Sequence, residues 1–280
     1  MNGIPFWKMS GSGNDFIIMD HRAPLHPFID TLSARQMWIS RVCRRGLSVG
    51  ADGVILVEPA ATGGSYAWHY YNADGGEADM CGNGARCVAR FAYLNQIAEA
   101  KHTFETRKGL VEAEVVGEQV RIGLPGPSDF RLGADIALLG KTYEGGFVNT
   151  GVPHWVSFVD NLDDMDVVAL GRAARYHPKF SPQGTNANFA MMIGKDKIRI
   201  RTYERGVENE TLACGTGCVA AAVVATRLGQ VSPPVFLTTQ SGGVVTVDFK
   251  QREGQITDLF LSGDARVVFK GKLTEEAWRE

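Results

Sequence analysis

Local metal-binding motifs are missing from this sequence. It contains neither a Cys-x-x-Cys nor a His-Glu-x-x-His, and its six histidines show no paired spacing. Zinc sites built from one stretch of chain depend on such spacings. We therefore expect no metal.

Long runs of one residue class are missing as well. No run of Lys or Arg creates a basic face, and the formal charge of the 280 residues is −2, so we expect no nucleic-acid partner. The longest apolar run, near Cys218, is far shorter than the ~20 residues that span a bilayer. The N-terminus has no charged-then-apolar signal pattern. We expect a cytoplasmic protein without membrane contact, in which a reducing compartment keeps the five cysteines as thiols.

One cysteine motif occurs twice. Met80-Cys81-Gly82-Asn83-Gly84 returns, 133 positions later, as Ala213-Cys214-Gly215-Thr216-Gly217. Each copy opens an almost wholly apolar segment, and a helix that is apolar on all sides is a buried helix. Each motif therefore predicts a thiol at the N-terminus of a buried helix. Backbone N–H groups and the positive end of the helix dipole attract an anion there and lower the pKa of a neighbouring thiol.

The repeat extends beyond the cysteines. The shift of 133 also places Thr106 on Thr239, and a shift of 140 places Asp20 on Asp160.

Further helices are predicted at Thr31 to Arg45 and Met165 to Tyr176. The predicted strands cover residues 4–9, 16–20, 53–57, 66–71, 102–106, 110–116, 119–124, 154–160, 187–193, 198–203, 235–239, 244–249, 256–261 and 265–269.

These patterns predict an α+β fold of two pseudo-symmetric lobes. Each lobe is a strongly curved, mostly antiparallel sheet or barrel around one buried central helix. The Pro and Gly residues at 125–127 mark the best boundary, which gives an N-terminal lobe of residues 1–125 and a C-terminal lobe of residues 126–264. Packing of residues 265–280 back onto the first lobe is left open. We expect both cysteine turns to face a common cleft.

Two opposed thiols suit the inversion of a carbon acid. One thiolate removes a proton from one face of a stereocentre while the other, as a thiol, delivers a proton to the opposite face. The helix starts would stabilise the charge that develops on the substrate carboxylate, so no cofactor is needed. One cysteine with a histidine would indicate acyl transfer, but the second copy would then have no task. Cys43, Cys87 and Cys218 have no cysteine counterpart under the shift and are interpreted as packing residues.

Several blocks of sequence, in order, run nearly from end to end. They are 11–16 (GSGNDF), 50–53 (GADG), 72–75 (NADG), 80–86 (MCGNGAR), 151–154 (GVPH), 184–186 (GTN), 204–206 (ERG) and 213–217 (ACGTG). In these blocks the chain resembles the diaminopimelate epimerase family, the pyridoxal-phosphate-independent racemases of lysine and peptidoglycan biosynthesis.

The resemblance implies a reaction and a set of site residues. The reaction converts LL-diaminopimelate to meso-diaminopimelate, with Cys81 and Cys214 as the two acid/base residues and no cofactor. The turn amides that bind the reacting carboxylate would be those of Gly82, Asn83, Gly215 and Thr216. The remaining amino and carboxylate groups, including those at the distal stereocentre, would be held by Asn14, Asn72, Asn186, Glu204 and Arg205.

Some of these residues have structural alternatives. Asn14 and Asn72 could serve only to shape turns, and Glu204 with Arg205 could be an exposed pair. A substrate with two zwitterionic ends nevertheless requires complementary charge, and Arg205 suits a bidentate carboxylate contact. His154, beside the predicted cleft, would steer the protonation of a thiol or bind substrate; packing at a strand start is the alternative.

Two departures from the family pattern concern specificity. Many members have asparagine at the position of Val152 and glutamine at that of Gly53, both associated there with the substrate pocket. A cofactor-independent racemase of another amino acid therefore remains an alternative. So do a dithiol redox protein, although efficient exchange usually uses a close Cys-x-x-Cys, and a catalytically silent binding protein. The expected partner is a small amino-acid substrate, and a homodimer is left open.

Overall fold

The computed structural model describes residues 3–279. The strands are β1 (Ile4–Gly11), β2 (Asn14–Asp20), β3 (Gly53–Glu58), β4 (Ala67–Asn72), β5 (Glu77–Ala78), β6 (Lys101–Thr106), β7 (Gly109–Val116), β8 (Gln119–Leu124), β9 (Ser128–Arg131), β10 (Ile136–Leu138), β11 (Lys141–Tyr143), β12 (Gly146–Asn149), β13 (Pro153–Phe158), β14 (Asn186–Gly194), β15 (Lys197–Glu204), β16 (Asn209–Thr211), β17 (Val235–Thr238), β18 (Val244–Arg252), β19 (Gln255–Asp264) and β20 (Arg266–Leu273). The α-helices are α1 (Pro27–Asp30), α2 (Leu32–Val42), α3 (Gly82–Leu94), α4 (Val167–Arg175) and α5 (Gly215–Arg227).

The chain divides into two compact units. The first comprises the residues up to Ile122 together with those from Gly263 onward, and the second comprises Gly123–Ser262. The C-terminal strand β20 belongs to the first unit because it pairs antiparallel with β1.

Strand pairing in the first unit is mixed. β1 pairs antiparallel with β2, β2 pairs parallel with β3, and β3 pairs antiparallel with β4. β4 pairs antiparallel with β5 and parallel with β6, after which β6, β7 and β8 continue as an antiparallel meander. Helix α2 lies between β2 and β3 in the chain, and α3 lies between β5 and β6.

The second unit repeats this order. β12 pairs antiparallel with β13, β13 parallel with β14, and β14 antiparallel with β15. β15 then pairs antiparallel with β16 and parallel with β17, and β17 to β19 form the meander. Helices α4 and α5 occupy the chain positions of α2 and α3. The predicted α+β class, with one buried helix in each sheet-rich half, is confirmed.

Both faces of the central strands in the first unit are covered. Ile17 and Val54 belong to the apolar cluster that includes Trp38 of α2. On the opposite face, the start of α3 packs at Gly84 against Phe16 and Ile55. A sheet covered on both sides gives continuous apolar strands, as the burial of β2 and β3 shows.

The second unit is organised in the same way. The Trp155 and Phe189 side chains pack with Leu170 of α4 in one apolar cluster. Residues of alternate parity on these strands, including His154 and Asn188, point to the other face of the sheet. That face carries α5, whose residues from Gly217 to Ala225 are all buried.

The sequence patterns missed the short elements. Strands β5, β9 to β12 and β16 are two to four residues long, which is too short for a period of two to be recognised. The predicted helix at Thr31 to Arg45 is wrong at its end, since α2 stops at Val42 with Cys43 as its C-cap. Within residues 3–279, no helix is long and apolar enough to span a membrane.

The ion pairs of His21 predict a pH-dependent stability. Nδ1 of His21 lies 2.9 Å from Oε1 of Glu58, and Nε2 lies 2.9 Å from Oδ1 of Asp30. Chiefly through the hydrogen bond to Glu58, the pKa of His21 is raised above its ordinary value of 6.5. A raised folded-state pKa stabilises the fold below the unfolded value, and this contribution is lost as pH rises through the folded value. His21→Gln should therefore lower the Tm more at about pH 6 than at about pH 9.

The control is His177→Gln, because the His177 ring accepts a hydrogen bond from the Lys179 amide and pairs with no carboxylate in the described part of the chain. Its change in Tm should be the same at both pH values. An equal loss at both pH values for His21→Gln would show that the imidazolium does not stabilise the fold.

Candidate active site

Helix α3 begins directly after a half-buried thiol. Cys81 is the N-cap, with extended backbone at φ −145° and ψ 114°, and its Sγ lies 3.5 Å from the Gly84 amide that donates to it. The first hydrogen bond inside the helix runs from the Ala85 amide to the Cys81 carbonyl at 2.8 Å. The start of a helix presents backbone N–H groups and the positive end of the helix dipole, which favour an anion at this end.

Helix α5 begins in the same way. Cys214 is its N-cap, at φ −118° and ψ 107°, and the Cys218 amide donates to the Cys214 carbonyl at 3.0 Å. Cys214 is buried, with 6% of its surface exposed. A Cβ at Gly217 would collide with Oδ1 of Asn188, so glycine is required there for the helix start to approach β14. The two predicted thiol positions are therefore both helix N-caps.

A buried arginine supports the start of α3. The Arg86 side chain is fully buried, and its Nη2 donates to Oδ1 of Asn83 at 3.0 Å and to Oγ of Ser12 at 2.7 Å. Nδ2 of Asn83 then donates to Oδ1 of Asn14 at 2.6 Å, and Nδ2 of Asn14 donates to Oδ2 of Asp52 at 2.9 Å. Because the guanidinium can only donate, this sequence of bonds fixes both asparagine amides.

The loop at Ser12 is anchored from the C-terminal part of the first unit. Oδ1 of Asp264 accepts from the Ser12 amide at 3.0 Å and from its hydroxyl at 3.2 Å. Nε of Arg86 donates to the Asp264 carbonyl at 3.4 Å. The glycine-rich turn between β1 and β2 thus supports the start of the Cys81 helix.

A relay of hydrogen bonds reaches Cys214 from the sheet. Oδ1 of Asn188 accepts from the Thr202 hydroxyl at 3.0 Å, so its Nδ2 donates to the Trp155 carbonyl at 2.8 Å and to Nδ1 of His154 at 3.2 Å. Since Nδ1 accepts, the proton of a neutral imidazole is on Nε2. Nε2 of His154 donates to Oγ1 of Thr216 at 3.0 Å.

The end of this relay is directed at sulfur. Oγ1 of Thr216 lies 3.5 Å from Sγ of Cys214. With the hydroxyl oxygen occupied as acceptor by His154, its hydrogen is available to Cys214. Burial, assisted by the nearby charge of Arg205, lowers the pKa of His154 to about 3. His154 is therefore neutral in the ligand-free protein and orients the Thr216 hydroxyl without supplying a charge.

Glu204 raises the pKa of the same thiol, whereas the hydrogen bond from Thr216 lowers it. Its Oε2 accepts from the Thr211 hydroxyl at 3.0 Å, and its carboxylate accepts from the Cys214 thiol. Burial, followed by the charge of Glu204, raises the pKa of Cys214 well above its ordinary value, and burial likewise raises the pKa of Glu204. The expectation that a helix start lowers the pKa of its thiol is thus wrong for Cys214, because desolvation outweighs the helix end.

The predicted binding residues Asn186 and Arg205 are directly connected. Asn186 is buried, its Nδ2 donates to the Pro153 carbonyl at 2.8 Å, and its Oδ1 accepts from the Arg205 amide at 2.8 Å. Nη1 of Arg205 donates to the Gln183 carbonyl at 3.2 Å. Asn186 therefore fixes the backbone at Arg205, while the half-exposed guanidinium retains further donors.

Asn72 is exposed at the end of β4. Its Oδ1 accepts from the Tyr70 hydroxyl at 2.9 Å. Sequence reasoning gave no role to Tyr70, to Asn188 or to Arg86. A signal existed for Asn188, since a second asparagine two positions after Asn186 in a buried strand points to the same face of the sheet.

The other three cysteines are buried in the cores. Burial raises the pKa of Cys43 to about 12, and it also raises the pKa of Cys87. Cys218 is fully buried in α5. Unlike Cys81 and Cys214, none of these three cysteines is the N-cap of a buried helix. Among residues 3–279, no three His, Cys, Asp or Glu side chains are arranged to hold a metal ion.

The chain has two sheet-rich units, each with a cysteine as the N-cap of its buried helix, and sequence comparison identifies the family. The family model described as diaminopimelate epimerase matches residues 6–126 and 146–268. The chain is 43% identical over 279 residues to diaminopimelate epimerase of Aquifex aeolicus, covering 98% of this chain and 99% of that protein. It is 44% identical to the Hydrogenobaculum protein of the same name, covering 96% and 98%. The chain belongs to the diaminopimelate epimerase family.

Solved structures support the fold. A Bacillus anthracis protein of the PhzF phenazine biosynthesis family superposes with a TM-score of 0.73 at 15% identity, covering 98% of this chain and 100% of that chain. A probable proline racemase from Agrobacterium radiobacter gives a TM-score of 0.68 at 17% identity, covering 97% and 93%. At these identities the likeness concerns the fold alone.

The Thr216 hydroxyl should control the thiolate of Cys214. Thr216→Val removes the donor but keeps a β-branched side chain, so the pKa of Cys214 should rise. Since a hydrogen bond to a charged group contributes about 1.5–3 kcal/mol, alkylation of Cys214 near neutral pH should slow about tenfold or more. The pH dependence of iodoacetamide labelling, followed by mass spectrometry of the Cys214 peptide, measures this effect. Thr216→Ser keeps the hydroxyl and should behave as the unmodified protein; equal slowing in both variants would show that the hydroxyl is not the cause.

Removing the charge of Glu204 should have the opposite effect. Glu204→Gln keeps a hydrogen-bonding side chain but removes the negative charge that disfavours the thiolate, so the pKa of Cys214 should fall and its alkylation should accelerate. The matched control is Glu208→Gln, because Glu208 is paired with Arg175 at 3.1 Å. An unchanged labelling profile in Glu204→Gln would mean that the carboxylate does not influence the sulfur.

Proposed function

We propose that this protein interconverts LL-diaminopimelate and meso-diaminopimelate by inverting one α-carbon. The observation that carries the proposal is the presence of a cysteine N-cap on the buried helix of each unit. Membership of the diaminopimelate epimerase family makes the chain an isomerase and supports this substrate. The mechanism by which two thiols perform the inversion is a further part of the proposal.

The proposed mechanism uses two bases. One cysteine, as thiolate, takes the α-proton and becomes a thiol, and the electron pair moves into the carboxylate as an enediolate. The other cysteine, as thiol, gives its proton to the opposite face of the same carbon and becomes a thiolate. Atoms and charge balance without an added reactant, and the sulfurs exchange roles with each turnover.

The enediolate needs the most stabilisation, because the carboxylate gains charge in the transition state. The amides at the starts of α3 and α5 are suitable donors, since helix N-termini bind anions. Gly82 and Asn83 supply the amides at one helix start, and Gly215 and Thr216 supply those at the other. The Arg86 network holds the start of α3 in the first unit. The His154 relay holds the start of α5 in the second unit.

The surroundings of Cys214 indicate the role that it takes first. In the ligand-free protein, burial and Glu204 keep the proton on Cys214. We therefore assign Cys214 the acid role in a turnover that begins from this state, which leaves the base role to Cys81. The Thr216 hydroxyl then stabilises the thiolate that Cys214 becomes after it has given up its proton.

The substrate carries a second zwitterionic centre, which the mechanism does not touch. We propose that Arg205 binds a carboxylate of this distal end, and that Asn72, Asn14 and Asn186 hold or orient its contacts. Val152 offers only an aliphatic side chain, half-buried in the turn before β13. Any polar contact to the substrate near that turn must therefore come from a residue other than Val152.

The setting we propose is the cytoplasm. All five cysteines are free thiols, and a reducing compartment maintains that state. Oxidation of either catalytic sulfur would remove the proton acceptor or donor that the mechanism requires.

Deuterium exchange tests the proposed activity. The reduced protein, freed of pyridoxal phosphate and treated with a metal chelator, should convert LL-diaminopimelate in deuterium oxide to meso-diaminopimelate that carries one deuterium at the inverted Cα. Cys81→Ser and Cys214→Ser should each lose about 10²–10⁴-fold in epimerisation, the range that a general acid or base contributes. Product formation is followed by chiral chromatography and label by mass spectrometry.

The controls are Cys87→Ala and Cys218→Ala, in which each buried cysteine is replaced by the alanine that the other half of the sequence has at the equivalent position. Both should retain activity. Full activity in either serine variant would contradict the two-thiol mechanism. Exchange with a different amino acid, but not with diaminopimelate, would show that the protein is a cofactor-independent racemase of that amino acid.

A further inference from the structure

Residue 53 is a glycine for reasons of space. Gly53 lies in β3, where its backbone conformation requires no glycine, and it pairs across the sheet with Asn72 of β4. A Cβ added at Gly53 would lie 2.7 Å from Cε2 of Tyr70 and would also collide with the Tyr71 carbonyl. The Tyr70 ring therefore occupies the volume into which any side chain at position 53 would project.

The ring is held by its neighbours. Tyr70 is 7% exposed, meets Phe16 edge to face with ring centroids 5.9 Å apart, and stacks on Trp68 at 5.8 Å. Phe16 and Trp68 also pack against the first turn of α3 at Gly84. The Tyr70 hydroxyl is thus placed by the same aromatic cluster that supports the Cys81 helix.

The hydroxyl acts on the exposed amide of Asn72. Tyr70 and Asn72 are two positions apart in β4, so their side chains lie on one face of the sheet. The hydroxyl donates to Oδ1 of Asn72 at 2.9 Å. An amide whose oxygen is the acceptor of this bond directs its NH₂ group away from Tyr70, which makes it a donor toward solvent or ligand.

We propose that Tyr70 is a positioning residue for substrate binding, which holds the Asn72 amide as a hydrogen-bond donor to an acceptor atom of the substrate. The proposal rests on the proposed function and makes it more specific. Tyr70 uses the space left by Gly53, and its hydroxyl selects one of the two orientations of the Asn72 amide. Without it, that amide must be ordered when substrate binds.

Tyr70→Phe tests the role of the hydroxyl alone, because it keeps the ring in place. A net hydrogen bond of ordinary strength corresponds to about a fivefold change in affinity. We expect KM for LL-diaminopimelate to rise about fivefold while kcat stays within about twofold, the pattern of a lost binding contact that is equal in ground and transition states. The matched control is Tyr71→Phe, which removes a neighbouring hydroxyl on the other face, bonded to Arg35 at 2.8 Å. Its KM should not change.

A double-variant cycle separates positioning from a general loss of structure. In an Asn72→Ala background the Tyr70→Phe change should have no further effect on KM, because the amide that it orients is gone. Asn72→Asp keeps an acceptor for Tyr70 but lacks the N–H groups, so KM should rise at least as much as in Tyr70→Phe.

Two results would overturn the inference: an unchanged KM in Tyr70→Phe, or the same fold increase with and without Asn72. Both presuppose that the unaltered protein epimerises diaminopimelate. Absence of that activity would instead refute the proposed function, so the two failures can be told apart.

Discussion

The site depends on the start of a buried helix. The first amides of a helix have no acceptor within it, so they must be served by caps, side chains, water or an anionic ligand. In both units a cysteine occupies the N-cap at this point. An amino acid whose carboxylate binds those amides would have its α-carbon close to sulfur. Binding of the anion and proton transfer would then be consequences of one arrangement.

The two copies of this arrangement have diverged in what supports them. A charged group, Arg86, organises the first helix start through Asn83 and Asn14. A neutral relay through His154 serves the second, beside the carboxylate of Glu204. Such a difference has a physical use. A two-base inversion needs one sulfur with its proton and one without, and different surroundings determine which sulfur keeps the proton.

The fold was predictable because long apolar strands and two apolar helices repeat along the chain. The cysteines were predictable because glycines flank both of them at the same spacing. The supporting residues were not, since their roles arise from contacts between strands that no local pattern contains: Asn188 is fixed by Thr202 of the next strand. The raised pKa of Cys214 also had no sequence signal, because desolvation and the approach of Glu204 depend on packing. The close approach of Tyr70 to Gly53 also had no sequence signal, because it joins neighbouring strands.

The central claim is that separate sulfurs serve the two faces of one carbon. It is tested most directly by the distribution of label at low conversion of LL-diaminopimelate in deuterium oxide. The account predicts one deuterium at the inverted carbon of the meso product, since that proton comes from a solvent-exchanged thiol, while recovered LL substrate remains unlabelled. A single base returning the proton to either face would give equal label in substrate and product, or a product that retains the original hydrogen, and would contradict it.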